Sequence, residues 1–139
     1  MFDIENSPGF LLAKCHKKAF QRFKAKLEPY NLTPPQMAAL SFLWKKDGIS
    51  QVQLGDLMGA DRTTVSGIID RLEKRGLVVR RGSPSDRRSF TLYITEKGQG
   101  LREELSALAR EHNNYLKKCL PEGEGEELVR LLKKFKETL

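Results

Sequence analysis

Apolar residues recur at steps of three and four through most of this 139-residue chain, and at steps of two through one short stretch beyond its middle. The first spacing predicts helices and the second a strand. After a lead of residues 1–8, Phe10, Leu11, Leu12, Cys15, Ala19, Phe20, Phe23 and Leu27 form a stripe over 9–27. Lys14, Lys17, Lys18, Arg22, Lys24 and Lys26 fill most of the remainder. That is a basic amphipathic helix, better suited to packing on a partner helix than to lying on a membrane. Thr33 caps a second helix, with Pro34 in its first turn and Met37, Leu40, Leu43 and Trp44 on its apolar side. Ser50 caps a short third helix carrying Val52, Leu54, Leu57 and Met58. After the turn Gly59-Ala60, Asp61 can cap a fourth helix and Gly76 can end it in a left-handed conformation. Val65, Ile68, Ile69 and Leu72 fall on one stripe of that helix.

The alternating stretch follows. Leu77-Val78-Val79-Arg80-Arg81 reads as a strand, and Gly82-Ser83-Pro84-Ser85-Asp86 has the chemistry of a turn. The returning strand puts Phe90, Leu92 and Ile94 on one side and Ser89, Thr91 and Tyr93 on the other. Thr95 then caps a long helix to about residue 120, with Leu101, Leu105, Leu108, Tyr115, Leu116 and Cys119 as its stripe. Pro121-Glu122-Gly123 breaks the chain before a last helix with Leu128, Leu131, Leu132, Phe135 and Leu139 as its apolar face.

Charge narrows the function. The net charge of +7 favours a polyanionic partner. Residues 60–100 hold nine Lys/Arg against five Asp/Glu, whereas residues 101–139 hold eight of each. The excess therefore coincides with the fourth helix and the hairpin as well as with the first helix. The exposed face of the fourth helix carries Arg62, Thr63, Thr64, Ser66, Gly67, Asp70, Arg71 and Lys74. Short hydrogen-bonding side chains and cations are the types that read base edges and grip phosphates. Cys15 and Cys119 stand far apart and neither belongs to a metal-ligand motif. A reduced, cytoplasmic setting is the expectation, with no cofactor and no membrane span. No nucleophile triad, phosphate loop or metal constellation points to an enzyme.

Two helices joined by a short turn and followed by a basic hairpin make a winged helix. The expected fold is mainly α with a small β-hairpin: a winged helix-turn-helix over 34–95, flanked by helices over 1–33 and 96–139. Those flanking helices are too many for one small core. A second copy related by two-fold symmetry would cover them and would set two reading helices about 34 Å apart, one turn of DNA. Two motifs carry a family resemblance. They are Asp61-Arg62-Thr63-Thr64-Val65 running to Leu72-Glu73-Lys74-Arg75-Gly76-Leu77-Val78, and Asp86-Arg87-Arg88-Ser89-Phe90-Thr91-Leu92-Tyr93-Ile94-Thr95-Glu96-Lys97-Gly98. Over nearly its whole length the chain resembles the multiple-antibiotic-resistance regulator (MarR) family of winged-helix transcription factors.

The resemblance implies a homodimeric repressor on a palindromic operator in double-stranded DNA, with helix 61–75 in the major groove and wing 78–94 in the minor groove. Arg62, Thr64, Gly67 and Arg71 match the family's major-groove face, and Gly67 matters because a bare backbone can approach the bases. Thr63, Ser66, Asp70 and Lys74 fall to phosphate or supporting contacts. Arg88 takes the place of the arginine that enters the minor groove, where a narrow groove concentrates negative potential. Asp86 supports the wing turn, and Asp61 is a cap, an orienting partner for Arg88, or both. Arg80, Arg81 and Arg87 are either backbone contacts or general field.

Family members often release DNA on binding an aromatic or phenolic effector. Matching positions are His16, Phe20, Met37, Leu40 and Trp44, all of which are equally ordinary core types. Oxidant-sensing members carry a cysteine just before a Phe-Leu-Leu-like run. Here Gly9 stands there and Cys15 lies two turns later, so a buried structural thiol is expected, with a redox-sensing repressor as the alternative. An architectural DNA binder without an effector is a further alternative. Zinc held by Cys15, His16, Glu111 and His112 has no spacing pattern in its favour.

Overall fold

Polar side chains at the starts of the helices set the boundaries of the fold. The computed structural model describes every residue except Pro84, and every side chain except those of Ser83, Asp86, Arg87 and Arg88. Among the described residues the elements are helix α1 (Pro8–Leu27), α2 (Pro34–Lys45), α3 (Gln51–Met58), α4 (Arg62–Lys74), strands β1 (Val78–Ser83) and β2 (Asp86–Ile94), and helices α5 (Glu96–Gly100), α6 (Arg102–Lys118) and α7 (Glu124–Thr138). The protein is thus mainly helical with one hairpin, in winged helix-turn-helix order. It divides into two compact units, residues 24–106 and residues 1–23 with 107–139.

In the unit 24–106, side-chain caps satisfy amides that a helix start leaves unpaired. Thr33 and Gln36 bond reciprocally across the start of α2, and Ser50 and Gln53 do the same at α3. Asp61 accepts from the Thr64 amide at 2.7 Å. The packing follows the apolar stripes. Met37, Ala39, Leu40, Leu43 and Trp44 of α2 are buried, and so are Val65, Ile68, Ile69 and Leu72 of α4. Leu77, Val78 and Leu92 complete the core from the hairpin. The expectation for α3 needs correction: Leu54 is buried, but Val52 and Leu57 are exposed. This eight-residue helix sinks its Leu54–Gly55 edge, where a Cβ on Gly55 would sit 3.2 Å from the Ala60 carbonyl oxygen. The turn into α4 is that tight.

β1 and β2 pair antiparallel, with Val78 opposite Ile94 and Arg80 opposite Leu92. The segment before α3 joins this ribbon: Gly48 donates to the Leu92 carbonyl, and the Leu92 amide donates to the Ile49 carbonyl at 2.9 Å. The base of the wing is thereby tied to the helix-turn-helix. Leu92 is fully buried, Ile94 half-buried and Phe90 exposed, so only the inner part of the expected strand face reaches the core.

The long helix expected from Thr95 is two helices. Thr95 does cap α5, but the chain tightens at Leu101, whose amide turns to the Gly98 carbonyl. Just before the break, Gly98 packs so closely on the Leu77 carbonyl oxygen that a Cβ there would lie 2.3 Å from it. The same glycine's carbonyl accepts the Trp44 indole N–H at 3.1 Å.

In the unit made of 1–23 and 107–139, α6 and α7 meet closely at Gly125, where a Cβ would lie 2.7 Å from the Lys117 Cβ. Arg22 donates to His112 Nδ1 at 2.8 Å and to Glu111 at 3.1 Å, and its guanidinium lies 3.7 Å from the centre of the Tyr115 ring. Phe23 stacks on the buried His112 ring at 4.7 Å. A guanidinium only donates, so Nδ1 is the acceptor here.

Candidate nucleic-acid interface

Helix α4 is held from one side only. Its stripe of Val65, Ile68, Ile69 and Leu72 anchors it, while Arg62, Thr63, Thr64, Asp70, Arg71 and Lys74 stay exposed and Ser66 and Gly67 half-buried. All eight side chains and backbone positions singled out on this helix therefore share its outer side. Arg62, Thr63, Ser66, Gly67 and Asp70 border a cleft of about 800 Å³ between α3, α4 and the base of the wing, where Ser89 and Phe90 contribute from β2. Gly67 leaves a bare patch in that cleft. Its carbonyl accepts from Arg71 at 3.2 Å, and an added Cβ would meet only that flexible guanidinium, at 3.4 Å.

Asp61 starts the helix at the mouth of the cleft. Hydrogen bonds from the Thr64 amide and then the Thr64 hydroxyl hold its carboxyl below the usual carboxylate range. The cap reading of Asp61 is thus in place. Its pairing with Arg88 lies outside the described side chains, as do the roles expected of Asp86 and Arg87. Arg81 is exposed and stands over the Tyr93 ring at 5.0 Å.

Arg80 is placed otherwise than a free cation would be. Its side chain is only 13% exposed. Nη1 donates to Asp70 and lies 3.5 Å from Glu73, Nη2 donates to the Ser66 carbonyl at 2.9 Å and to its hydroxyl at 3.3 Å, and Nε donates to Gln51 at 3.0 Å. Its backbone amide donates to Glu73 at 3.1 Å. Strand alternation carries the signal that points to this role. Arg80 shares a face with the buried Val78, and a cation on an inward face needs carboxylates nearby. Asp70 and Glu73 supply them from the preceding helix.

The residues proposed for an effector divide between the units. His16 is exposed on α1 with the Phe20 ring 5.7 Å away, in the unit containing 1–23. Met37, Leu40 and Trp44 are core residues of the unit 24–106. Cys15, expected to be buried, is exposed, as is Cys119. Lys14, His16 and Lys17, the sequence neighbours of Cys15 on α1, are exposed as well. Among the described residues no three His, Cys, Asp or Glu side chains converge to hold a metal ion. Among the described residues no helix is long and apolar enough to cross a membrane.

Residues 32–90 match the MarR family profile. The organic hydroperoxide resistance transcriptional regulator of Bacillus subtilis is 32% identical over 100 residues, which is 72% of this chain and 68% of that protein. Among solved structures, the transcriptional repressor CouR bound to a 23-mer DNA duplex superposes with a TM-score of 0.87 at 30% identity, covering 96% of this chain and 94% of that one. BpsR of Bordetella bronchiseptica, whose DNA binding is regulated by 6-hydroxynicotinic acid, superposes with a TM-score of 0.89 at 26% identity over 98% and 97% of the two chains.

Proposed function

The chain belongs to the MarR family of DNA-binding transcriptional regulators, and from that premise we propose that it is a homodimeric, ligand-responsive repressor of a palindromic operator. Helix 61–75 enters the major groove and wing 78–94 the minor groove. Arg62, Thr64, Gly67 and Arg71 face the bases, while Thr63, Ser66 and Lys74 lie along the phosphates. Arg88 reaches the minor groove, with Asp86 and Arg87 shaping and charging the wing tip. The observation that carries this reading is α4 itself, anchored by its apolar stripe with its polar side open on the cleft. Pairing is supported by the apolar side chains of α1 and α7 that one chain leaves exposed, among them Leu11, Leu128, Leu131 and Phe135. A second copy would cover them, with 1–33 and 96–139 forming the dimerisation region.

The ligand-responsive part draws on BpsR and its aromatic acid. A small aromatic or phenolic acid is the effector class, and His16, Phe20, Met37, Leu40 and Trp44 are the residues to vary first. The exposed thiol of Cys15 and the hydroperoxide-resistance relative favour a second reading, release by oxidation at Cys15. A duplex selected by the protein from a random library serves to test all three parts. Arg88→Ala should weaken binding to it by about 1–3 kcal/mol, the value of one groove contact. Wild-type affinity in that variant removes the wing from the mechanism. Release by aromatic acids supports the effector reading. Release by hydroperoxide that disappears in Cys15→Ser transfers the switch to the thiol. A complex indifferent to both is that of an architectural binder.

A further inference from the structure

We propose that Arg80 is a positioning residue for operator recognition, bridging the base of the wing to the reading helix without touching DNA itself. The inference rests on the reading of α4 and the wing as the DNA-binding surface. Every nitrogen of the Arg80 guanidinium is engaged inside the protein, by Asp70, Glu73, Ser66 and Gln51. To reach a phosphate the Arg80 side chain, only 13% exposed, would have to leave all four of these partners at once for a single surface contact. The bridge ties three parts of the site. Ser66 and Asp70 lie a turn apart on α4, Gln51 opens α3, and Arg80 itself belongs to β1.

The charge of the reading helix follows from the same contacts. Its exposed side carries Arg62, Arg71 and Lys74 together with Asp70 and Glu73. Two unpaired carboxylates there would repel the phosphates that the three cations attract. Arg80 neutralises them from behind and fixes where they lie. Asp70 is accordingly a partner of Arg80 and no reader of bases. The planar fork matters as much as the charge, since one guanidinium serves four residues in fixed directions and an ammonium cannot.

Arg80→Lys separates the two roles because it keeps the charge and removes the fork. Full-length wild type and Arg80→Lys are compared on the duplex selected by the wild type and on a random duplex, across a range of salt. The expected result is an operator affinity lowered by about tenfold, comparable to one mismatched base pair. Random-duplex affinity should be nearly unchanged, and so should the dependence of affinity on salt. Amide exchange in residues 78–82 and 89–94 should also quicken, a readout that needs no DNA. Arg80→Gln should lose operator preference too, and its salt slope should stay that of the wild type. The proposal is overturned if Arg80→Lys binds like the wild type, or if Arg80→Gln weakens both duplexes equally with a salt slope smaller by about 0.9, the mark of a lost phosphate contact. If the wild type itself selects no sequence, the DNA reading fails, and this proposal with it.

Discussion

The two compact units of this chain contain similar amphipathic helices and treat their apolar faces in opposite ways. In the unit 24–106, Leu40, Leu43, Leu54, Ile69, Leu72, Leu77 and Leu92 are fully buried. Among the described residues, every buried apolar side chain belongs to that unit. In the unit built from 1–23 and 107–139, Leu128, Leu131, Leu132 and Phe135 of α7 remain more than 40% exposed. A contiguous apolar face of that kind marks a contact surface rather than a failed core. One unit completes its core within a single chain and presents α4 to solvent. The other leaves its apolar face exposed within one chain, the face that the proposed second copy would cover. That division suits the proposed dimeric regulator, rigid where it would read and shared where it would pair.

The largest expected effects set the units against each other. Leu72→Ala should destabilise the unit 24–106 by about 2–5 kcal/mol in urea denaturation, as for any fully buried leucine left as a cavity. Leu131→Asp combined with Leu132→Asp should leave that unit's own packing intact and should convert pairs into monomers in sedimentation. A double variant that still pairs would break the comparison, because the exposed face of α7 would then cover nothing.

Gly67→Ala gives a smaller and sharper contrast. A helical glycine costs about 0.5–1 kcal/mol relative to alanine, so the variant should be more stable by that amount in thermal unfolding. Its new methyl projects into the cleft, so operator binding should weaken while stability rises. An equal or tighter complex would deny Gly67 its role in close approach. Asp61 gives the smallest effect. Its carboxyl is held below its ordinary value by the Thr64 bonds. The cap is therefore fully formed above the ordinary carboxylate value of about 3.9 and is lost as pH falls through the depressed one. Asp61→Asn keeps a good cap and should flatten that acid limb of the unfolding curve, and an unchanged limb would assign it to other carboxylates.

Much of the fold was legible because local chemistry and long-range packing agree. Thr33, Ser50, Asp61 and Thr95 cap the helices they were expected to cap, and Gly76 ends α4's turn at a φ of 72°. The departures come where a distant element decides. The helix break at Leu101 lies beside Gly98, whose close approach to the carbonyl of Leu77 no local spacing reveals. Val52 and Leu57 are apolar yet exposed, because so short a helix sinks only the edge at the tight turn. Arg80 looked like one cation in a basic run, and only strand alternation beside Asp70 and Glu73 distinguishes it from Arg81. The exposed Cys15 has the same origin as the exposed leucines, since α1 buries only its last residue, Leu27, within the chain.

The proposed function requires two copies of this chain to read one operator through α4. Its most direct test is the stoichiometry and salt dependence of the complex with the selected duplex, measured by sedimentation and by fluorescence anisotropy. Two chains per duplex, two protected half-sites about one helical turn apart, and an affinity that falls steeply as salt rises are the expected results. A single chain per duplex, or an affinity indifferent to salt and no better than that for random DNA, would contradict it.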